Sequence, residues 1–177
     1  KGIGASTAQI LAEAGSDVVI TGRDLDGLKE TQENVESFGR KCYVIEADLS
    51  LENEAKKVAD KALEVFGTID ILVNNAGTAL LENILSTSNE DWDKVQSVNL
   101  KTPFILAKLI APNMIKQKSG KIVNISSVAS EFALQDHIAY SVSKSGLNML
   151  TKSMTVEWAK HNIQTNSVCP TIIMTTM

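Results

Sequence analysis

The segment IDILVNNAG, residues 69–77, joins an apolar run to a polar turn. The run from Ile69 to Val73 is rich in branched apolar side chains, which predicts a strand that is covered on both faces. The turn at Asn74–Gly77 consists of residues that tolerate unusual backbone angles, although a turn alone would not need two asparagines. Because ligands of open parallel sheets bind outside the carboxyl ends of the strands, this turn is a candidate functional segment.

Strand and helix patterns alternate along the rest of the chain. Further strands are predicted at 18–21, 42–46, 121–126 and 163–168. Helices are predicted at 3–14, 25–38, 52–66 and 140–160, and another helical pattern begins at Ser88. Pro103 interrupts that pattern, which predicts two helices that meet near 99–102, with Pro103 in the first turn of the second. The alternation predicts an α/β fold with a doubly wound, Rossmann-like parallel sheet, as one domain over residues 1–177.

The composition argues against several classes of function. The net charge is −4, so the protein has no basic field for a nucleic acid backbone. Cys42 and Cys169 have no companions at metal-ligand spacing, so we predict no metal site and no disulfide framework, and expect buried thiols. No apolar run approaches the roughly 20 residues that span a bilayer. We therefore expect a cytoplasmic protein that binds neither nucleic acid nor membrane.

The first residues suggest a phosphate site. Gly2 and Gly4 open a helical pattern whose unpaired backbone N–H groups would favour a phosphate, although such glycine pairs also occur in ordinary turns. Arg23 follows a predicted strand at a place where an NAD site would carry an acidic residue, so Arg23 and Lys1 could bind a 2′-phosphate instead. Both could also be solvated surface charges. Because no strand precedes Gly2, we expect a chain that is truncated at its N-terminus.

Tyr140 and Lys144 are four positions apart and share one face of a predicted helix. A phenol is a poor proton donor and acceptor at neutral pH, and a neighbouring ammonium is the expected means of stabilising its ionised form. Ser127 adds a hydroxyl directly after another predicted strand. The three side chains together indicate proton transfer at a carbonyl or hydroxyl group.

Taken together, these motifs resemble the short-chain dehydrogenases/reductases over essentially the whole chain. The family's Asn-Asn-Ala-Gly motif stands at Asn74–Gly77, its structural asparagine at Asn99, its serine at Ser127 and its Tyr-x-x-x-Lys at Tyr140 and Lys144. The order of these motifs is also that of the family. The resemblance implies an enzyme that transfers a hydride between a nicotinamide and a carbonyl or secondary alcohol.

The resemblance also implies a role for each matching residue. Tyr140 would be the general acid and base, and Ser127 would bind the substrate oxygen. Lys144 would bind the nicotinamide ribose, while Asn99 would hold a water that connects Lys144 to solvent. His137 would either face the substrate or be a partly exposed loop histidine. The cofactor contacts implied are Lys1, Gly2, Ile3, Gly4, Arg23, Asp48, Leu49, Asn75, Ala76, Gly77, Tyr140, Lys144, Pro170, Ile173 and Thr175.

The family's glycine-rich loop is present only in its last part, and the chain stops at Met177, before the family's substrate-covering segment. We therefore expect truncation at both ends. Pro170-Thr171 and His137 resemble the L-xylulose (dicarbonyl) reductases, which implies a ketose or dicarbonyl substrate. Arg23 and Lys1 favour NADP over NAD as the cofactor. The resemblance further implies a homodimer or homotetramer.

Four other functions remain open at the level of sequence. The segment from Leu11 to Leu81 would equally suit a 3-oxoacyl-[acyl carrier protein] reductase or a gluconate 5-dehydrogenase. A hydrolase using Ser127 and His137 is less favoured, because no Gly-x-Ser-x-Gly motif surrounds the serine. A truncated, non-catalytic relative could act as an interaction protein.

Overall fold

In the part of the chain that the structure describes, the strands form two parallel sheets, and helices alternate with the strands along the sequence. The computed structural model describes residues 1–173. Within these residues the chain forms two compact units. The smaller unit comprises Lys1–Asp48 with Ile173, and the larger comprises Leu49–Ile172.

The smaller unit alternates helix and strand. Its elements are α1 (Gly2–Glu13), β1 (Val18–Gly22), α2 (Leu25–Glu36) and β2 (Cys42–Glu46). The strands run parallel, with Val18 opposite Cys42 at one end of the ladder. Small alanines, Ala8 and Ala12, let α1 pack closely against the core of this unit, which Val35 and Cys42 complete. Burial raises the pKa of the Cys42 thiol to about 11.

The larger unit places a three-stranded parallel sheet, ordered β3-β4-β5, among its helices. Its strands are β3 (Ile71–Asn74), β4 (Gly120–Ile125) and β5 (Ile163–Val168). Its α-helices are α3 (Glu52–Phe66), α4 (Asn89–Gln96), α5 (Thr102–Gln117) and α6 (Ile138–Trp158). The central strand, β4, is the most deeply buried of the three. Its residues Ile122 and Asn124 are both 0% exposed and lie between β3 and β5.

A π-helical turn at Ser97–Lys101 connects α4 to α5. Pro103 stands in the first turn of α5, as predicted, directly after the π turn. A π turn widens the helix by one residue and is common at functional sites. Here it contains Asn99, which the sequence analysis selected as a site residue.

The prediction of an α/β fold with parallel strands is confirmed. Among residues 1–173, hydrogen bonds join the strands into a parallel pair and a parallel triplet. The single domain over residues 1–177 stays a prediction. Within residues 1–173, no helix has both the length and the apolar character needed to cross a membrane.

Candidate active site

Lys144 and Tyr140 lie one turn apart on α6, in the larger unit. The Lys144 Nζ atom is 5.7 Å from the centre of the Tyr140 ring. Lys144 is 4% exposed, whereas Tyr140 is partly exposed and so accessible to a ligand. The predicted pairing of a phenol with an ammonium is therefore present in the structure.

The ammonium of Lys144 is held by the end of β4. Its Nζ atom donates a hydrogen bond of 2.7 Å to the carbonyl oxygen of Ile125. Burial lowers the pKa of Lys144 to about 8, and the nearby Cys169 thiol opposes this shift. The side chain thus remains mostly protonated at neutral pH, in surroundings that strengthen its electrostatic effect on Tyr140.

Asn99 connects the π turn to the loop after β3. Its Oδ1 atom accepts from the Thr78 N–H at 2.9 Å, and its Nδ2 atom donates to the Thr78 carbonyl oxygen at 2.9 Å. The same Nδ2 atom donates to the Ser143 hydroxyl on α6 at 3.0 Å. Asn99 is 0% exposed. Its hydrogen bonds hold the end of the Asn-Asn-Ala-Gly turn against the helix that carries Lys144.

Gly77 lies where this turn approaches the lysine most closely. A Cβ atom at Gly77 would come within 3.5 Å of Asn99 Oδ1 and 3.6 Å of Lys144 Nζ. Glycine therefore leaves the space beside the ammonium open to a ligand. The structure thus brings Gly77, Asn99, Tyr140 and Lys144 together.

Ser127 lies two residues after Ile125, the end of β4 that holds Lys144. Its Oγ atom accepts a hydrogen bond of 3.1 Å from the Ala129 N–H and so begins a short 3₁₀ turn, Val128–Ser130. Because that bond uses an oxygen lone pair, the hydroxyl hydrogen can be donated to a substrate oxygen. The backbone is pinned by a bond of 3.1 Å from the Val128 N–H to the Pro170 carbonyl oxygen.

His137 precedes α6 and contacts the tyrosine edge-on. The two ring centres are 6.4 Å apart, with an angle of 68° between the ring planes. The Nδ1 atom of His137 lies at hydrogen-bond distance from the Gln135 carbonyl oxygen. Since a carbonyl only accepts, Nδ1 is assigned as the donor and Nε2 of the neutral ring as an acceptor.

The smaller unit contains the predicted phosphate contacts. Gly2 begins α1 with a φ of +66°, and no side chain caps the helix, so its first N–H groups are available to an anion. Ile3 and Gly4 belong to the same first turn. Lys1 pairs with Asp24, its Nζ atom 3.3 Å from a carboxylate oxygen, which offsets the charge expected to favour a 2′-phosphate. Arg23 is exposed.

The remaining predicted cofactor residues occupy varied surroundings. Asn75 and Ala76 are partly exposed in the turn after β3, and Leu49 is 5% exposed. Asp48 and Pro170 are partly exposed, and Ile173 is 51% exposed. Thr175 lies outside the described residues.

A buried polar network that was not predicted from the sequence joins the strands and the helix of the site. Asn74 Nδ2 donates to Asn124 Oδ1 at 2.8 Å, and Asn124 Nδ2 donates to the Thr151 hydroxyl at 2.8 Å. This network joins β3, β4 and α6. An asparagine at the centre of a predicted buried strand was the available signal, since buried amides need partners.

Cys169 also differs from expectation, because it is partly exposed instead of buried. Partial burial would raise the pKa of its thiol, but hydrogen bonds from Asn148 and from nearby serines outweigh that effect and lower the pKa. Its proximity to Lys144 joins two residues that are far apart in the sequence. Nothing local in the sequence indicated this contact.

The residues present fit a nicotinamide dinucleotide. An uncapped helix N-terminus after a glycine suits a pyrophosphate, and the missing side chain at Gly77 would let a ribose approach the Lys144 ammonium. The helix N-terminus belongs to the smaller unit, whereas Gly77 and Lys144 belong to the larger unit.

The whole chain, residues 1–177, matches the family described as short chain dehydrogenase. A 2-dehydro-3-deoxy-D-gluconate 5-dehydrogenase of Escherichia coli is 40% identical over 96% of this chain and 66% of its own length. An NAD-dependent glycerol dehydrogenase of Listeria innocua is 38% identical, covering 98% of this chain and 67% of the relative. An L-xylulose reductase of Mesocricetus auratus is 38% identical over 100% of this chain and 70% of the relative.

Solved structures of short-chain oxidoreductases are also similar to this chain. A putative short-chain alcohol dehydrogenase from Sinorhizobium meliloti is similar with a TM-score of 0.95 and 36% identity, covering 99% of this chain and 69% of that one. A metagenomic short-chain oxidoreductase in complex with NADP has a TM-score of 0.92 and 36% identity, covering 96% and 77%. The chain spans about two thirds of the length of these curated relatives. The resemblance predicted from the motifs is therefore confirmed, and the chain belongs to the short-chain dehydrogenase family.

Proposed function

We propose that the full-length protein is an NADP-dependent oxidoreductase that transfers a hydride between the nicotinamide and a carbonyl or secondary alcohol. The observation that carries this proposal is the placing of Lys144 Nζ 5.7 Å from the Tyr140 ring and beside the gap at Gly77. A phenol to move the proton, and a buried ammonium that a ribose can approach at Gly77, are the parts that carbonyl reduction needs from the protein.

Each residue has a defined part in the proposed mechanism. A bound nicotinamide supplies the hydride. The Tyr140 hydroxyl donates its proton to the carbonyl oxygen, and in the reverse direction the phenolate accepts it. The Ser127 hydroxyl donates a hydrogen bond to the same oxygen, and the Lys144 ammonium stabilises the negative charge left on Tyr140. Asn99 acts on these residues indirectly, by holding α6 and the turn at Gly77 together.

The proposed cofactor is NADP, with NAD as the alternative. Arg23 is exposed directly after β1 and offers a planar, paired set of donors for a 2′-phosphate. The metagenomic relative in complex with NADP supports this preference. The Listeria relative named as NAD-dependent, and the pairing of Lys1 with Asp24, count against it.

The proposed substrate is a small ketose or dicarbonyl such as L-xylulose. The L-xylulose reductase at 38% identity supports this substrate class. Oxidation of a sugar acid at a secondary alcohol is a second candidate, supported by the 5-dehydrogenase at 40% identity. Both reactions would use Ser127 and Tyr140 in the same way, so the two candidates differ only in substrate recognition.

We also propose a homodimer or homotetramer in the cytoplasm. Apolar side chains on α5 and α6 are exposed in the structure, including Phe104 at 48%, Met149 at 60% and Val156 at 84%. Faces of this kind favour association with a second copy. Sedimentation of the full-length protein tests this assembly, and a strictly monomeric species would count against it.

The proposed activity is tested by NADPH oxidation with diacetyl, L-xylulose, 5-ketogluconate and an acetoacetyl thioester. NADH and the Tyr140→Phe variant are the controls. We expect turnover with NADPH that falls about 10²- to 10⁴-fold in Tyr140→Phe, because the variant has no proton to donate. No turnover on any carbonyl with either cofactor would favour a non-catalytic interaction protein, and preference for the thioester would favour a 3-oxoacyl reductase.

A further inference from the structure

A pocket of about 310 Å³ lies in the larger unit, beside the start of α6. The loop after β3 and the loop before α6 form its walls. Its lining includes Glu82, Ile84, Leu134, His137, Ile138 and Ser141. The volume falls in the range of sites that hold small molecules.

Two polar atoms of this pocket are buried without a partner. Glu82 Oε2 and Ser141 Oγ are both shielded from solvent, and neither makes a hydrogen bond within the described residues. Buried polar atoms in folded proteins almost always have partners, because leaving one unpaired costs about 1 to 3 kcal/mol. A change of rotamer that turns either oxygen toward the pocket would let a ligand supply the missing hydrogen bond.

His137 connects this pocket to the proposed chemistry. It lines the pocket, and its ring contacts the Tyr140 ring edge-on at 6.4 Å. A parallel backbone bridge to His137 fixes the position of Glu82. A molecule in the pocket would therefore lie next to the residue that packs against the proposed proton donor.

The hydrogen-bonding groups define what the pocket can recognise. A carboxylate oxygen of Glu82 only accepts, and so does Nε2 of His137 when Nδ1 donates to Gln135. Ser141 can donate or accept. A ligand that satisfies them must bring hydrogen-bond donors, while Ile84 and Leu134 offer apolar surface to its carbon chain.

We propose that this pocket binds the hydroxyl groups of a polyhydroxylated substrate, with Glu82 as a specificity-determining residue. This inference rests on the proposed function and narrows its substrate class from ketoses and dicarbonyls to polyhydroxylated ketones. A vicinal diketone such as diacetyl has no hydroxyl to offer Glu82. A site built to bind a hydroxyl group discriminates strongly against analogues that lack it.

Kinetics of the full-length protein with L-xylulose and diacetyl test the proposal. Glu82→Gln should raise KM for L-xylulose about 10-fold or more with kcat within about twofold, because binding of remote hydroxyls is lost equally in ground and transition states. Its kcat/KM for diacetyl should stay within about twofold. Ser141→Ala should have the same pattern with a smaller effect. Glu157→Gln, which removes an exposed carboxylate at the far end of α6, is the matched control.

A second measurement does not depend on turnover. Saturating xylitol should raise the Tm of the unaltered protein and raise that of Glu82→Gln much less, while 2,3-butanediol should have little effect on either. An unchanged KM for L-xylulose in Glu82→Gln, or equal losses on L-xylulose and diacetyl, would overturn the proposal. Equal stabilisation of both proteins by xylitol would also overturn it. A failure of the proposed function would give a different result. The full-length protein would then reduce neither L-xylulose nor diacetyl, whatever the effect of xylitol on its Tm.

Discussion

Lys144 keeps a charged group almost entirely out of water, at 4% exposure. A carbonyl oxygen, that of Ile125, accepts its hydrogen bond but carries no full charge to balance it. Burial therefore lowers the pKa of Lys144 to about 8. Such a position is unfavourable for folding and useful for chemistry, because the same dry surroundings strengthen the effect of the ammonium on Tyr140.

The buried ammonium makes stability depend on pH. The pKa of Lys144 falls from 10.5 in the unfolded chain to about 8 in the fold, so the unfolded state binds more protons between these values and stability rises with pH there. Lys144→Met removes this contribution. We expect the free energy of unfolding of the variant, relative to the unaltered protein, to fall by about 3 kcal/mol as pH rises through this window.

Urea unfolding of both proteins at several pH values measures this difference. Lys152→Met is the control, because water solvates that exposed side chain of the same helix in both folded and unfolded chains. A difference between Lys144→Met and the unaltered protein that stays constant with pH would contradict the account.

At the scale of single residues, the sequence was sufficient to predict site residues that lie close together in the chain. Tyr140 and Lys144 are one helical turn apart, so their pairing follows from helix geometry alone. Asn99 was selected by resemblance, but its bond to Ser143 joins residues that are 44 positions apart. No local rule gives such a contact, and the same holds for Glu82 beside His137.

At the scale of elements, the end of α5 is packed directly against the start of β4. Gly120 is the first residue of β4, and a Cβ atom there would come within 2.5 Å of Met114 Sδ and 2.8 Å of Met114 Cβ. Met114 is 0% exposed and has no room to withdraw. The absence of a side chain at Gly120 therefore sets the distance between this helix and the sheet.

Gly120→Ala should therefore destabilise the protein by about 1 to 3 kcal/mol, because the added methyl group overpacks the core at Met114. Thermal or urea unfolding measures the change. Gly22→Ala is the control, since a Cβ atom at the end of β1 would meet only Leu28, at an ordinary 3.8 Å. A loss in Gly120→Ala no larger than in Gly22→Ala would show that the contact with Met114 does not constrain the fold.

Several elements were predicted with their observed bounds. The strands β2 and β5 and the helix α3 coincide with their sequence patterns, because each pattern ends in residues that stop it. Helix α3, for example, ends at Gly67, which has a φ of +71°. The sequence predicted a junction near Pro103 but not the π turn itself. No residue type is specific to the extra residue of such a turn.

For the whole molecule, the alternation of strands and helices was sufficient to predict a parallel α/β fold. It was not sufficient to predict which strands pair, because a ladder depends on hydrogen bonds between segments far apart in the chain. Membership of the short-chain dehydrogenase family supports the proposed proton transfer at Tyr140. Since the chain spans about two thirds of its relatives' length, activity is a property to be measured on the full-length protein.

The most direct test of the central claim follows a deuterium atom. Full-length protein would be given L-xylulose and NADPH deuterated at both C4 positions of the nicotinamide, and the alcohol product would be analysed by mass spectrometry and NMR. We predict one deuterium on the new carbinol carbon, formed about 10²- to 10⁴-fold more slowly by Tyr140→Phe. Product without deuterium, or a Tyr140→Phe variant as fast as the unaltered protein, would contradict the proposal that Tyr140 protonates a carbonyl during hydride transfer.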